Sequence, residues 1–145
     1  DPDNLDIYII SKRLEREKVF LMSYPQDFKK ENSLEYICEI PIGTDVFEGS
    51  GVTAADISSD GTEILIKNYT TVIYYHRNTG QTIAEALSNE PVDLNYTMEP
   101  QGEAIAWHPD GKGFFTLSEL SPLNIPPHLY FYQRVGTGVK KKSKK

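Results

Sequence analysis

The feature that most constrains this chain is a turn that occurs twice, fifty residues apart. Asp56-Ile57-Ser58-Ser59-Asp60-Gly61 aligns with Ala106-Trp107-His108-Pro109-Asp110-Gly111, and a weaker echo, Asp1-Pro2-Asp3-Asn4, precedes Asp6-Ile7-Tyr8-Ile9-Ile10. Each copy leads from one apolar, alternating stretch through a polar turn into another. Glycine after aspartate supplies the positive φ that tight hairpins require, so these are hairpin turns with a mechanism. In the first copy Leu5 stands where glycine is usual.

Around the turns almost every apolar stretch is short, rich in aromatic or β-branched residues, and bounded by turn formers. The expected strands are 6–11, 18–24, 34–40, 52–57, 63–68, 71–76, 92–97, 103–107, 113–118 and 129–134. Only residues 81–88 read as a helix, with Ile83, Ala84 and Leu87 at helical spacing. Four short strands recurring every 40 to 50 residues is the pattern of a propeller blade. The expected fold is therefore all-β: four-stranded antiparallel blades, about two and a half of them, taken from a larger ring. Lettering strands a to d outward, blade one (about 1–41) holds b, c and d; blade two (51–98) holds all four; blade three (102–135) holds a, b and c. The missing inner strand of blade one, with an opening Asp1-Pro2-Asp3 that lacks an initiator methionine, leads us to expect the remaining blades upstream in the same protein.

Charge and composition exclude several alternatives. No apolar run approaches the ~20 residues that span a bilayer, so no membrane-crossing helix is expected. Fifteen basic and 21 acidic side chains give a net charge of -6, yet Lys140, Lys141, Lys142, Lys144 and Lys145 crowd the end. Without those five the rest carries about −11, which repels phosphate and argues against nucleic acid as a partner of the folded part. Residues 140–145 read as a disordered basic tail. The single cysteine, Cys38, rules out an internal disulfide framework and a cysteine zinc site. Alternation places Leu34, Tyr36, Cys38 and Ile40 on one strand face, with Cys38 a small buried hydrophobe. Asn68-Tyr69-Thr70 and Asn95-Tyr96-Thr97 are glycosylation sequons, which makes Asn68 and Asn95 candidate acceptors and tilts the location toward secretion.

The alignment also selects a candidate site. Starts of a strands and ends of b strands meet at one mouth of a propeller's channel. Thr53 and Glu103 begin two a strands, while Ser11 with Lys12, Asn68 with Tyr69, and Ser118 with Glu119 end three b strands. Ligand-binding candidates are Lys12, Arg13, Thr53, Tyr69, Glu103 and Glu119, with Glu103 and Glu119 as carboxylates and Lys12 or Arg13 as counter-charge. A structural ion pair or water network lining the channel is the competing reading. His76, His108 and His128 lack metal-ligand spacing, and no nucleophile elbow, phosphate-cradling loop or dinucleotide fingerprint is present.

Ile57-Ser58-Ser59-Asp60-Gly61-Thr62-Glu63-Ile64-Leu65-Ile66 and Trp107-His108-Pro109-Asp110-Gly111 resemble the Ser-Pro-Asp-Gly blade motif of TolB-like propellers. Residues 6–13, 51–58 and 100–106 are similar to a group of secreted propellers of uncharacterised function, and the likeness spans roughly residues 1–120. It implies a fold more than an activity, because propellers host unrelated functions. One expectation is a non-catalytic scaffold that binds a protein or glycan through channel-mouth loops. The alternative is a metal-dependent hydrolase of phytase-like or lactonase-like type. The Glu-Ala dipeptide at 103–104 resembles positions that hold calcium in phytase-like propellers, which makes Glu103 and Glu119 candidate ligands for Ca²⁺, a cation that takes six to eight oxygens. Which of these readings holds turns on acidic residues in blades outside this sequence.

Overall fold

The computed structural model describes residues 1–12, 16–40, 51–120 and 124–135. They form three antiparallel sheets in chain order. The first comprises β1 (Ile7–Ile10), β2 (Glu17–Met22) and β3 (Glu35–Ile40), in the order β1-β2-β3. The second comprises β4 (Ala54–Ile57), β5 (Glu63–Lys67), β6 (Val72–His76) and β7 (Val92–Leu94), again in chain order. The third comprises β8 (Gly102–Trp107), β9 (Gly113–Ser118) and β10 (Leu129–Gln133). The described chain is therefore all-β apart from α1 (Ile83–Leu87), which lies in the β6–β7 connection.

The second and third turns are built alike, and the first closes in the same way with its positive-φ residue one place later. Ser58 N–H donates to Glu63 C=O and His108 N–H to Gly113 C=O, both at 2.8 Å, and the Asp1 ammonium donates to Asp6 C=O at 2.8 Å. In each, a side-chain oxygen, of Asn4, Asp60 or Asp110, accepts from the backbone N–H two residues on. The residue between them has positive φ: 64° at Leu5, 70° at Gly61 and 71° at Gly111. Leucine here pays the Cβ penalty that glycine avoids.

Matching the closing hydrogen bonds makes Tyr8, Leu65 and Phe115 equivalent, and pairing across each hairpin adds Leu21, Tyr74 and Phe131. We call the face carrying these residues the forward face of its sheet and the opposite one the rear face. The forward face of the first sheet, with Tyr8, Ile10 and Val19, packs with Ile64, Ile66 and Tyr75 on the rear of the second. The forward face of the second, with Leu65, Val72 and Tyr74, packs with Ile105, Trp107 and Phe114 on the rear of the third. The same face therefore stacks in the same sense twice. Because β5 is covered on both sides, all five of its residues are buried and Ile64-Leu65-Ile66 is continuously apolar.

Trp107 sits edge-on to both Tyr74 and Phe114, with ring centroids 6.5 and 6.2 Å away. Tyr132 stacks on Phe114 at 4.8 Å, whereas Tyr130 and Phe131 of the same strand are exposed. Helix α1 is fixed by a capping box in which Thr82 and Glu85 exchange side-chain and backbone hydrogen bonds, and it buries Ile83, Ala86 and Leu87.

Two expectations need correction. The face assigned to Leu34, Tyr36, Cys38 and Ile40 is broken, because Val19 pairs with Cys38 and Phe20 with Tyr36, leaving Ile37 as an extra residue. This bulge carries Tyr36 to the rear face beside Phe20, so of those four only Cys38 and Ile40 share the core with Val19, joined there by Ile37. Burial raises the Cys38 thiol pKa. The fourth strand of the second sheet also ends early, at Leu94 rather than 97.

Candidate functional site

Successive sheets deliver one side chain each to a common rim. Lys12 follows β1, Tyr69 follows β5, and Glu103 is the second residue of β8. The Lys12 ammonium lies 3.2 Å from Glu103 Oε1, a contact spanning 91 residues, and the Tyr69 hydroxyl donates to the same oxygen. Lys12 also lies over the Tyr69 ring, 5.4 Å from its centroid. The hydrogen bond to Glu103, followed by partial burial, raises the Tyr69 pKa. Lys12 and Glu103 remain about one-third and one-quarter exposed, so the pair is open to solvent.

Thr53 belongs to the same rim as a bridge between sheets: its hydroxyl donates to Gly102 C=O at 3.0 Å. Glu119 is at the same end of the third sheet as Glu103, since its N–H donates to Gln101 C=O, but its side chain is exposed. Lys12, Thr53, Tyr69 and Glu103 thus form one constellation, while Glu119 stands at its margin. Arg13 and the 140–145 tail lie outside the described residues.

Glu103 already accepts from a cationic lysine and a phenol, and among the described residues no group of three or more His, Cys, Asp or Glu could hold a metal. Asp56 is engaged elsewhere, accepting from Trp107 N–H at 2.6 Å. Of the two sequon asparagines, Asn68 is buried. It is 2% exposed, and its side-chain oxygen accepts from the N–H groups of Thr70 and Thr71, whereas Asn95 is exposed.

Behind the rim lies a cluster that the strand pattern did not reveal. Lys67, the last residue of β5, is fully buried and donates to Asn68 C=O at 2.9 Å and Gly102 C=O at 2.8 Å. Glu99 Oε2 is 3.9 Å from its nitrogen and accepts from the Tyr96 hydroxyl at 2.8 Å, while the ammonium lies 4.4 Å above the Tyr96 ring. Burial lowers the Lys67 pKa to about 8 against the opposing pull of Glu99 and Glu103. Burial also raises the Tyr96 pKa, with the hydrogen bond to Glu99 adding to it. The available signal was the repeat itself, because Lys67 falls where Ile10 and Leu117 stand in the other sheets.

A second unforeseen contact joins the opposite end of the sheets, where Arg134 bonds Glu63 with both terminal guanidinium nitrogens. Tyr74 donates to that carboxylate at 3.1 Å, and Arg134 lies 5.5 Å from the Trp107 ring centroid.

No family model, curated protein or solved structure matches the chain.

Proposed function

We propose that the three sheets are consecutive blades of a β-propeller, and that the protein is a binding scaffold whose ligand meets the rim formed by Lys12, Tyr69 and Glu103. The observation that supports this reading is that three successive sheets, stacked in the same sense, each send one functional side chain to one place. A propeller has about 4–8 blades, so the reading sets these sheets within a larger ring. It also accounts for the exposed forward face of the third sheet, where Leu129 and Phe131 are 67% and 46% exposed at the positions that Val72 and Tyr74 bury in the second.

The rim offers a carboxylate acceptor, a primary ammonium and an aromatic face within one constellation. Such a set recognises polar, hydroxyl-rich or amide-rich groups, as in a glycan or an exposed peptide. The test is to probe arrayed oligosaccharides and linear peptides with the wild-type protein and with Glu103→Gln and Lys12→Ala. A ligand held by the wild type and weakened at least tenfold by both variants, with folding intact, supports the site. Undiminished binding by both variants overturns it.

A further inference from the structure

Tyr69 and Glu103 meet at the rim, but the residues immediately before them meet in the interior. The Lys67 ammonium donates to the carbonyl of Asn68 at 2.9 Å and to that of Gly102 at 2.8 Å. One cation therefore ties together the peptide groups that lead into both rim side chains, one following β5 and one in β8. Hydrogen bonds donated by a charged group are stronger than neutral ones. Thr53, just before β4, donates its hydroxyl to the same Gly102 carbonyl. The tie falls where the third sheet departs from regular pairing: Gly102 pairs with Ser118 and Ala104 with Leu117, which leaves Glu103 as the extra residue of a bulge. A bulge re-aims the side chain it carries, and here the backbone that enters it is held from both sides.

The strand itself does not ask for a lysine at this position. Ile10 and Leu117 stand at the turn-matched places of the other two sheets, so an apolar residue serves in both. A buried ion pair is commonly no more stabilising than apolar residues of the same volume. What lysine adds is a pair of hydrogen bonds aimed at the two rim segments. We infer that Lys67 is a positioning residue for the rim: through the Asn68 and Gly102 carbonyls it holds Tyr69 and Glu103 in their mutual hydrogen bond, and with them the carboxylate that Lys12 meets. The inference rests on the rim reading above for its consequence, which is that ligand recognition depends on a fully buried group that no ligand touches.

The test needs no ligand. Protein carrying carbon-13 at the tyrosine ζ carbons is followed by NMR at pH 6.5, below the value near 8 at which Lys67 gives up its proton. The Tyr69 signal is assigned by its loss in Tyr69→Phe, and Glu103→Ala gives its position without the carboxylate partner. In Lys67→Met the signal is expected to move at least half of the way to that position. Because this variant leaves the Glu99 carboxylate buried without its cation, Lys67→Met combined with Glu99→Gln is measured beside it and should show the same displacement. Leu87→Ala, a core truncation in α1, controls for general loosening and should leave the signal in place. A smaller displacement in either Lys67 variant that folds overturns the inference, as does an equal displacement in Leu87→Ala. Loss of the fold in both Lys67 variants makes the lysine structural and overturns it as well. Failure of the rim as a ligand site is read separately, from undiminished binding by Glu103→Gln and Lys12→Ala, and leaves this measurement unaffected.

Discussion

Gly102 and Lys67 are fitted to each other: the Gly102 carbonyl accepts from the buried ammonium at 2.8 Å, and a Cβ on Gly102 would stand 2.5 Å from that nitrogen. The same Cβ would meet the Tyr96 hydroxyl at 2.6 Å and Glu99 Oε2 at 2.7 Å. Three polar side chains would have to move together, two of them buried. Gly102→Ala is therefore expected to destabilise the fold by about 1–3 kcal/mol, read as a lower urea midpoint at unchanged slope. An unaltered midpoint would mean that the cluster is loosely held.

Lys67 should leave a mark on the pH dependence of stability. In the unfolded chain it keeps its proton to the ordinary 10.5, whereas in the fold it releases it near 8. Between these values the unfolded state binds more protons, so this group makes stability rise with pH, by at most roughly 1.4 kcal/mol per unit. Denaturation of wild type and Lys67→Met at pH 8, 9 and 10 isolates it, because the raised pKa values of Cys38 and the tyrosines act in both proteins. The wild type should gain on the variant across that range, and parallel curves would refute the assignment.

Trp107 meets Tyr74 of the second sheet and Phe114 of its own within a cluster that includes Leu65, so its removal empties space between two sheets. Trp107→Ala is expected to cost about 3–5 kcal/mol in equilibrium unfolding. A loss below 1 kcal/mol would show that the sheets do not depend on this contact.

Leu5 holds φ at 64° while its side chain is mostly exposed, so little packing offsets the strained backbone. Leu5→Gly should relieve that strain and raise stability by up to about 1 kcal/mol, visible as a higher melting temperature. A fall in melting temperature would mean that leucine's restriction of the unfolded chain outweighs the strain.

The stacking was readable only in part. Alternation predicted ten strands whose positions agree closely with those found, since strands such as Gly113–Ser118 need one apolar face or two. It failed at Tyr36, because a bulge at Ile37 depends on the partner strand and leaves no trace in the segment's own pattern. Lys67 was hidden for a related reason. A lysine closing an apolar strand reads as a solvated end, and only the distant Glu99 and Gly102 make its burial tolerable.

By itself the sequence determined the local chemistry: where strands begin and end, which turns need a positive φ, and that Thr53 and Glu103 open equivalent strands while Lys12 and Tyr69 follow equivalent ones. Those properties depend on near neighbours in the chain and on a periodicity of two. Only the tertiary structure decided which sheet face covers which, that the Lys12 ammonium meets Glu103 across 91 residues, and that Glu119 stays outside the pair. Side-chain burial and ion pairing depend on distances between sheets, and those distances are set by the whole packed stack rather than by any one segment.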